Sequence, residues 1–444
     1  MIKYKKGTLL FLLALFLLPF EAIKGILPSV YRPISLYPLS IVFIFAVFKE
    51  VLEPKYNKMI FRYFVFASYC VVSSYIVTWI KFGDFHNTTE FAVTLVMGMI
   101  VFVASNYAFK LIKGKDSNDQ YIYYVFKLLG NMYFFAIIIG IIEMLSILNI
   151  IPISIKANIN KILGAGQLTR VCMGSSEASW LSMHLLMMMP IYIYLYRRTK
   201  LVRYMVAFIL LCGIFTFNVS GQGITTLIIT FFIYFFINIF KKNNLKGAIK
   251  NLALIVFGLV GAFVIFKFIV SILPNTYYTV RIKNFTTING LISSDQSSFI
   301  RIIYPYLDFR IFLNNPIFGI GGGNFPKLLG NYLAKFYPWA ISAYGEVAVH
   351  VSSENASTGS FYVRLLGEFG IVGFMLFWYF ASVVIKKFGK VRNCNQRNLV
   401  MFILITTFAL LIQFDSFTYV PFWVMLAFFN NFEEDKIIKE KNIK

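Results

Sequence analysis

Stretches of about twenty apolar residues alternate with short polar connections along almost the whole chain. A helix rising 1.5 Å per residue needs about that many to cross roughly 30 Å of hydrocarbon. The pattern predicts twelve spans, at about 8–20, 34–48, 59–80, 91–112, 121–148, 176–196, 204–219, 222–240, 251–273, 361–385, 398–415 and 417–432. The fold class expected is an all-α polytopic membrane protein, with residues 1–444 forming a single integral membrane domain. No small-residue cleavage site follows Leu18-Pro19-Phe20 and more spans come after it. The first stretch is therefore expected to stay rather than be removed as a signal peptide.

Composition narrows the class. Of 444 residues, 59% are apolar and 14% charged, whereas a soluble domain carries roughly a quarter charged. This disfavours a cytosolic enzyme, a nucleic-acid binder and a disordered scaffold. The net charge of +23 has its explanation in sidedness. With the N-terminus cytoplasmic, 26 of the 42 Lys and Arg residues fall in inside connections and 12 in outside ones. Both termini are thus expected in the cytoplasm, and the charge calls for no nucleic-acid partner. Cys70, Cys172, Cys212 and Cys394 are scattered without CxxC spacing and predict neither a disulfide framework nor a metal site.

One connection breaks the short-loop pattern. Residues 274–360 face outside on this topology, and loops of that length are usually functional or carry helices of their own. A second outside segment, 149–175, holds Arg170. Ionisable groups inside spans are costly, and Glu143, Glu177, Glu368 and Asp415 all lie at the outer ends of theirs. The apolar middles are nearly free of charge apart from Lys127 and Lys267. That placement argues against an ion or proton relay through the bilayer and for chemistry at the outer surface.

Within the long loop, the run from Ser297 to Arg310 reads as a serine-capped helix with Arg301, Tyr304 and Asp308 on one face. It stops at Asn314-Asn315-Pro316. The following Phe318-Gly319-Ile320-Gly321-Gly322-Gly323-Asn324-Phe325 has glycines that permit positive φ. It reads as a tight turn or as a cradle of N–H groups for an anion.

The run from Ser297 to Phe325, with its serine pair, arginine, helix and glycine segment, resembles the signature of the O-antigen ligase and Wzy-type O-antigen or capsule polymerase superfamily. Two further pieces agree. Arg170-Val171-Cys172-Met173-Gly174-Ser175-Ser176-Glu177 resembles the arginine, glycine and glutamate motif before a mid-chain span. Ser360 to Gly373, with Glu368, Gly370 and Gly373, resembles the opening of the span after the large loop. The three fall in the family's order over roughly residues 160 to 380. The resemblance implies a GT-C-like glycosyltransferase of the bacterial cytoplasmic membrane, needing no cofactor. Its donor would be a glycan on polyprenyl diphosphate and its acceptor a sugar hydroxyl, with a flippase and a chain-length regulator as pathway partners. Ligase-type relatives often carry a histidine shortly before the glutamate-glycine motif, where this chain has Thr358 and Gly359. Polymerase is therefore favoured, ligase is the alternative, and a transporter comes third.

Such a reaction asks for cations or N–H donors on the diphosphate, a base for the acceptor hydroxyl and aromatic platforms for sugars. Arg301 and Arg170 are the leading cations, because a planar fork pairs bidentately with phosphate. The other reading of Arg301 is a bracing ion pair with Asp308. His350 and Glu354 are the candidate bases. Glu177 and Glu368 open spans, where the macrodipole favours a carboxylate, or else they orient the arginines. Gly321, Gly322, Gly323 and Asn324 would line the leaving group. Tyr304, Tyr306, Tyr332, Tyr337, Trp339 and Tyr344 stack on sugars or belong to an interfacial belt. Arg310 and Arg281 add positive potential. His184 reads as a core histidine, and Ser220-Gly221-Gln222-Gly223 as a turn. With no Asp-x-Asp pair and no His/Cys cluster, arginine rather than a divalent ion is expected to neutralise the diphosphate.

The topology has a direct check. A cysteine engineered at position 390 should stay unlabelled by an impermeant reagent in intact cells, while cysteines within 274–360 should react. Labelling at position 390 would overturn the assignment.

Overall fold

The computed structural model describes residues 8–21, 23, 33–52, 57–164, 168–218, 220–241, 296–391 and 396–433. Its first nine helices are α1 (Thr8–Leu17), α2 (Leu36–Leu52), α3 (Lys58–Lys81), α4 (His86–Lys113), α5 (Asn118–Ile147), α6 (Ile153–Leu163), α7 (Ala178–Thr199), α8 (Val202–Asn218) and α9 (Gly221–Lys241). The long loop contributes α10 (Gln296–Asn314), α11 (Phe325–Phe336), α12 (Pro338–Ala343) and α13 (Gly345–Ser352). The chain closes with α14 (Phe361–Lys390), α15 (Arg397–Ala409) and α16 (Val420–Asn430). Every predicted span inside the described residues carries a helix. The predicted span 251–273 with Lys267, and also Arg281 and Cys394, lie outside the described residues.

Six helices, α3, α4, α5, α7, α9 and α14, are long and apolar enough to cross a membrane. The described part is all-α and membrane-embedded in character. Helix α3 shows why. Phe64, Val72, Ile76, Trp79 and Ile80 form an exposed apolar stripe that only lipid would cover. The opposite face buries Tyr63, Phe66, Cys70, Ser74 and Thr78, and α3 packs against α4 and α14. Asn57 caps its start, accepting from the N–H groups of Met59 and Ile60.

Helices α10 to α13 build a second, smaller core. Phe299, Ile303, Leu307 and Ile311 from α10 meet Phe325, Leu329 and Leu333 from α11, with Ala340 and Val347 closing it. Each fully buried Leu or Phe contributes about 1.5–3 kcal/mol, which is how a loop acquires a fixed shape.

That core is fastened to the bundle through a break in α14. Gly370 sits at φ 65°, ψ −166° within the helix, a region essentially restricted to glycine. The break frees backbone groups on both sides, and residues 316–321 satisfy them. Ile320 and Gly321 donate to the carbonyls of Gly367 and Glu368 at 3.0 and 2.8 Å, and Ile371 donates to Pro316 O at 2.9 Å. The two backbones run so close that a Cβ on Gly370 would overlap Ile317 O, and one on Gly319 would overlap Glu368 O.

Gly370→Ala should therefore lower the thermal midpoint of the detergent-solubilised protein, with backbone strain alone costing about 1–3 kcal/mol. Gly389→Ala, on the same helix with nothing within 4 Å of the added Cβ, should be neutral or stabilise by up to about 1 kcal/mol. Equal midpoints for the two variants would show that the close approach is dispensable.

Candidate functional site

A cavity of about 1010 Å³ opens at one end of the bundle, between the segment leading into α7, helices α10 and α13, and residues 353–359 and 413–416. It brings the Arg170 to Glu177 segment together with Arg301 and His350, which lie far from it in the sequence.

Arg301 occupies the second turn of α10, and its Nη2 lies 3.8 Å from Glu177 Oε2. Both side chains are partly exposed, 30% and 52%, so the pair is worth about 0–1 kcal/mol. Glu177 is the N-cap residue of α7, and its Oε2 also accepts from Ser179 Oγ at 2.8 Å. The brace to Asp308 does not form. Asp308 is fully buried, and neither of its carboxyl oxygens has a hydrogen-bond partner. Burial pushes its carboxyl well above the usual range, with Glu368 adding to the rise and Arg364 opposing it.

Arg170 is 7% exposed and donates through Nε to Asn218 O at 2.9 Å. Three buried side chains hold its segment in place. Lys156 Nζ donates to the carbonyls of Leu168 and Arg170, each at 2.7 Å. Glu143 Oε2 accepts from the N–H groups of Cys172 and Met173. Asn218 Nδ2 donates to Val171 O and Ala178 O.

His350, on α13, has Nδ1 at 3.1 Å from the Tyr304 hydroxyl and Nε2 at 3.9 Å from Glu346 Oε1. Burial pulls the imidazole below its ordinary value while Glu346 pulls the other way. The net direction is downward, so the ring is neutral near pH 7. Burial likewise raises the Tyr304 phenol and keeps it protonated.

Several sequence-level candidates lie elsewhere. Glu354 is exposed, with φ 47°, and is absent from the cavity wall. The expected anion cradle is corrected. The N–H groups of Gly321, Gly322, Gly323 and Asn324 are already engaged by Glu368 O, Ser74 Oγ, Glu368 Oε1 and Gly321 O. Their physical task is to complete the broken span. Glu368 is 1% exposed and bonds Arg364 Nε at 2.8 Å, so its carboxylate is turned inward rather than offered to a ligand. Arg310 stacks over Tyr306 and Phe336 outside the cavity wall. Tyr337, Trp339 and Tyr344 pack around Phe299, and the aromatic rings on the cavity wall are those of Trp180 and Phe414.

Trp180, Gln222, Glu346, Ser357 and Asp415 line the cavity without having been singled out as site residues. Asp415 had left a signal, as one of four carboxylates at outer span ends. Its carboxylate accepts from Ser357 Oγ, Thr358 Oγ1 and Gly359 N, which fixes one wall. Arg364 Nη1 donates to Asp415 O at 3.0 Å. Gln222 had been read as part of a turn, and it donates to the backbone carbonyl of Gln413. Among the described residues, no group of three His, Cys, Asp or Glu side chains is placed to hold a metal ion.

Compared with known proteins, the chain matches no family model and no curated sequence.

The pH dependence of carbethoxylation by diethyl pyrocarbonate can be followed at His350. The His350 midpoint should fall below the ordinary imidazole value near 6.5. Glu346→Gln removes the opposing charge and should lower it further. A His350 midpoint at or above that ordinary value would contradict the burial argument.

Proposed function

We propose that the chain is a membrane glycosyltransferase that polymerises oligosaccharide repeat units carried on polyprenyl diphosphate, at the outer face of the cytoplasmic membrane. The observation that carries this reading is the convergence of Arg170, Arg301 and a neutral histidine on one cavity, the two arginines coming from segments whose motifs resemble the polymerase superfamily and His350 from outside those motifs. The cavity lies at the end of the bundle that the loop charges assign to the outside.

In this reading the two arginines take the diphosphate, and Glu177 holds Arg301 in place until the ligand arrives. The acceptor hydroxyl oxygen bonds to the anomeric carbon as the bond from that carbon to the diphosphate oxygen breaks. The hydroxyl proton passes to His350 Nε2. For that, the imidazole carries its own proton on Nδ1 and donates it to Tyr304 Oη. Negative charge develops on the leaving diphosphate, where preorganised cations act most strongly. Trp180, stacked edge-on against Phe414 at 4.9 Å, offers a platform for a sugar ring. A deletion strain separates polymerase from ligase: loss of a polymerase leaves single repeat units, whereas loss of a ligase leaves long chains on the lipid carrier.

Arg301→Ala should abolish polymer while the protein still accumulates in the membrane, a loss on the order of 100- to 1000-fold in rate. Arg301→Lys keeps the charge without the fork and should restore activity only in part. Arg310→Ala should be mild, and activity should survive chelator. Normal chain length and yield from Arg301→Ala would make Arg301 a structural brace and overturn the site.

A further inference from the structure

At the opposite end of the bundle, α3 begins where α4, α14 and α16 end, and these four helix ends enclose a cavity of about 520 Å³. Its walls are strongly basic. Lys58 and Arg62 come from the first turns of α3, Lys110 and Lys113 from the end of α4, and Lys386, Lys387 and Lys390 from the end of α14. Among the described lining residues, Glu433 is the only carboxylate, and it lies 3.5 Å from Lys113 Nζ. The side-chain amides of Asn106, Asn430 and Asn431 bond one another across the wall.

Two local explanations cover part of this charge. An excess of Lys and Arg is normal for connections on one side of a membrane protein, and cations suit helix C-termini. Lys113 and Lys387 fit the second, since Lys113 donates to Asp116 O and Lys387 to Asn430 Oδ1. Helix α3 is covered only in part, by sidedness at Lys58. Its first turns form a helix N-terminus, where the macrodipole disfavours a cation, yet Lys58 and Arg62 sit there. Arg62 is moreover 8% exposed. Its Nη1 bonds Tyr379 O and Ser382 Oγ at 2.8 and 2.9 Å, and its face lies 3.8 Å over the Tyr379 ring. Its Nε is buried with no acceptor. Burying a cation among like charges is costly unless an anion shares the site.

We propose that this cavity binds a phosphoryl anion, supplied either by a phospholipid headgroup of the adjoining leaflet or by a soluble phosphate or diphosphate. The site is separate from the glycosyl-transfer reading and does not depend on it. A phosphoryl group is compact enough for the space, carries one to two negative charges, and presents several acceptor oxygens to a convergent set of donors. The cavity mouth lies at the helix ends, the depth at which headgroups sit.

The test uses delipidated full-length protein in neutral detergent. Binding is read as a saturable rise in thermal midpoint with phosphatidylglycerol mixed micelles, with phosphatidylcholine micelles, and with inorganic pyrophosphate. Stabilisation by phosphatidylglycerol but not phosphatidylcholine assigns the site to a lipid headgroup, and stabilisation by pyrophosphate assigns it to a soluble anion. Removing one lysine near the membrane surface weakens anion binding about fivefold, so the triple variant Lys58→Gln, Lys386→Gln, Lys390→Gln should bind roughly 100-fold more weakly. Glu433→Gln removes the competing carboxylate and should bind about fivefold more tightly, a gain that misfolding cannot mimic. No saturable response to either anion, or equal affinity across native protein and both variants, would overturn the proposal.

Discussion

The described structure depends on one exchange of backbone hydrogen bonds. Where α14 breaks at Gly370, amide groups lose their helical partners, and in a lipid-embedded span each orphaned group would cost several kcal/mol. Residues 316–321 supply the missing partners. The small core of α10 to α13 is thereby pinned to the bundle, with Arg301 and His350 held over the start of α7. The glycines serve this arrangement by lacking side chains: two main chains can approach closely only where nothing projects between them.

Charge reinforces the same joint. Arg364 reaches Glu368 on its own helix and the backbone of Asp415 beyond α15. Glu368 in turn accepts from Gly323 N, and Asp415 grips residues 357–359. A continuous chain of polar contacts thus runs from the glycine turn to the cavity wall. Asp308 lies beside it, fully buried, with its carboxyl pushed upward by burial and by Glu368.

Helix positions were legible because a long apolar run has almost one solution in lipid, and α10 to α13 lie in the long loop expected to carry helices of its own, whereas α6 was not anticipated. The arginine, glutamate and histidine that meet in the cavity were visible as unusual residues in an apolar chain. Their partners were harder to see. Glycines announce a close approach but not what approaches, so Gly321 to Gly323 read as a tight turn or an anion cradle, and the broken span that they meet was not foreseen. Glu368 opens a helix on paper, yet the break two residues later turns it inward. Lys156 and Asn218, which hold the Arg170 segment, have no motif, because their role exists only once α6 and α8 have packed against it.

The loose contact between Arg301 and Glu177 has a kinetic meaning. A guanidinium that already has a resident counter-ion takes up a diphosphate by exchange rather than by simple addition. Each arriving anion displaces a carboxylate, and each departing one is replaced by it. Some affinity is lost at entry, but dissociation is assisted from within the site. In the proposed reaction, which would release one lipid diphosphate at every elongation step, an internal competitor of this kind would guard against product inhibition.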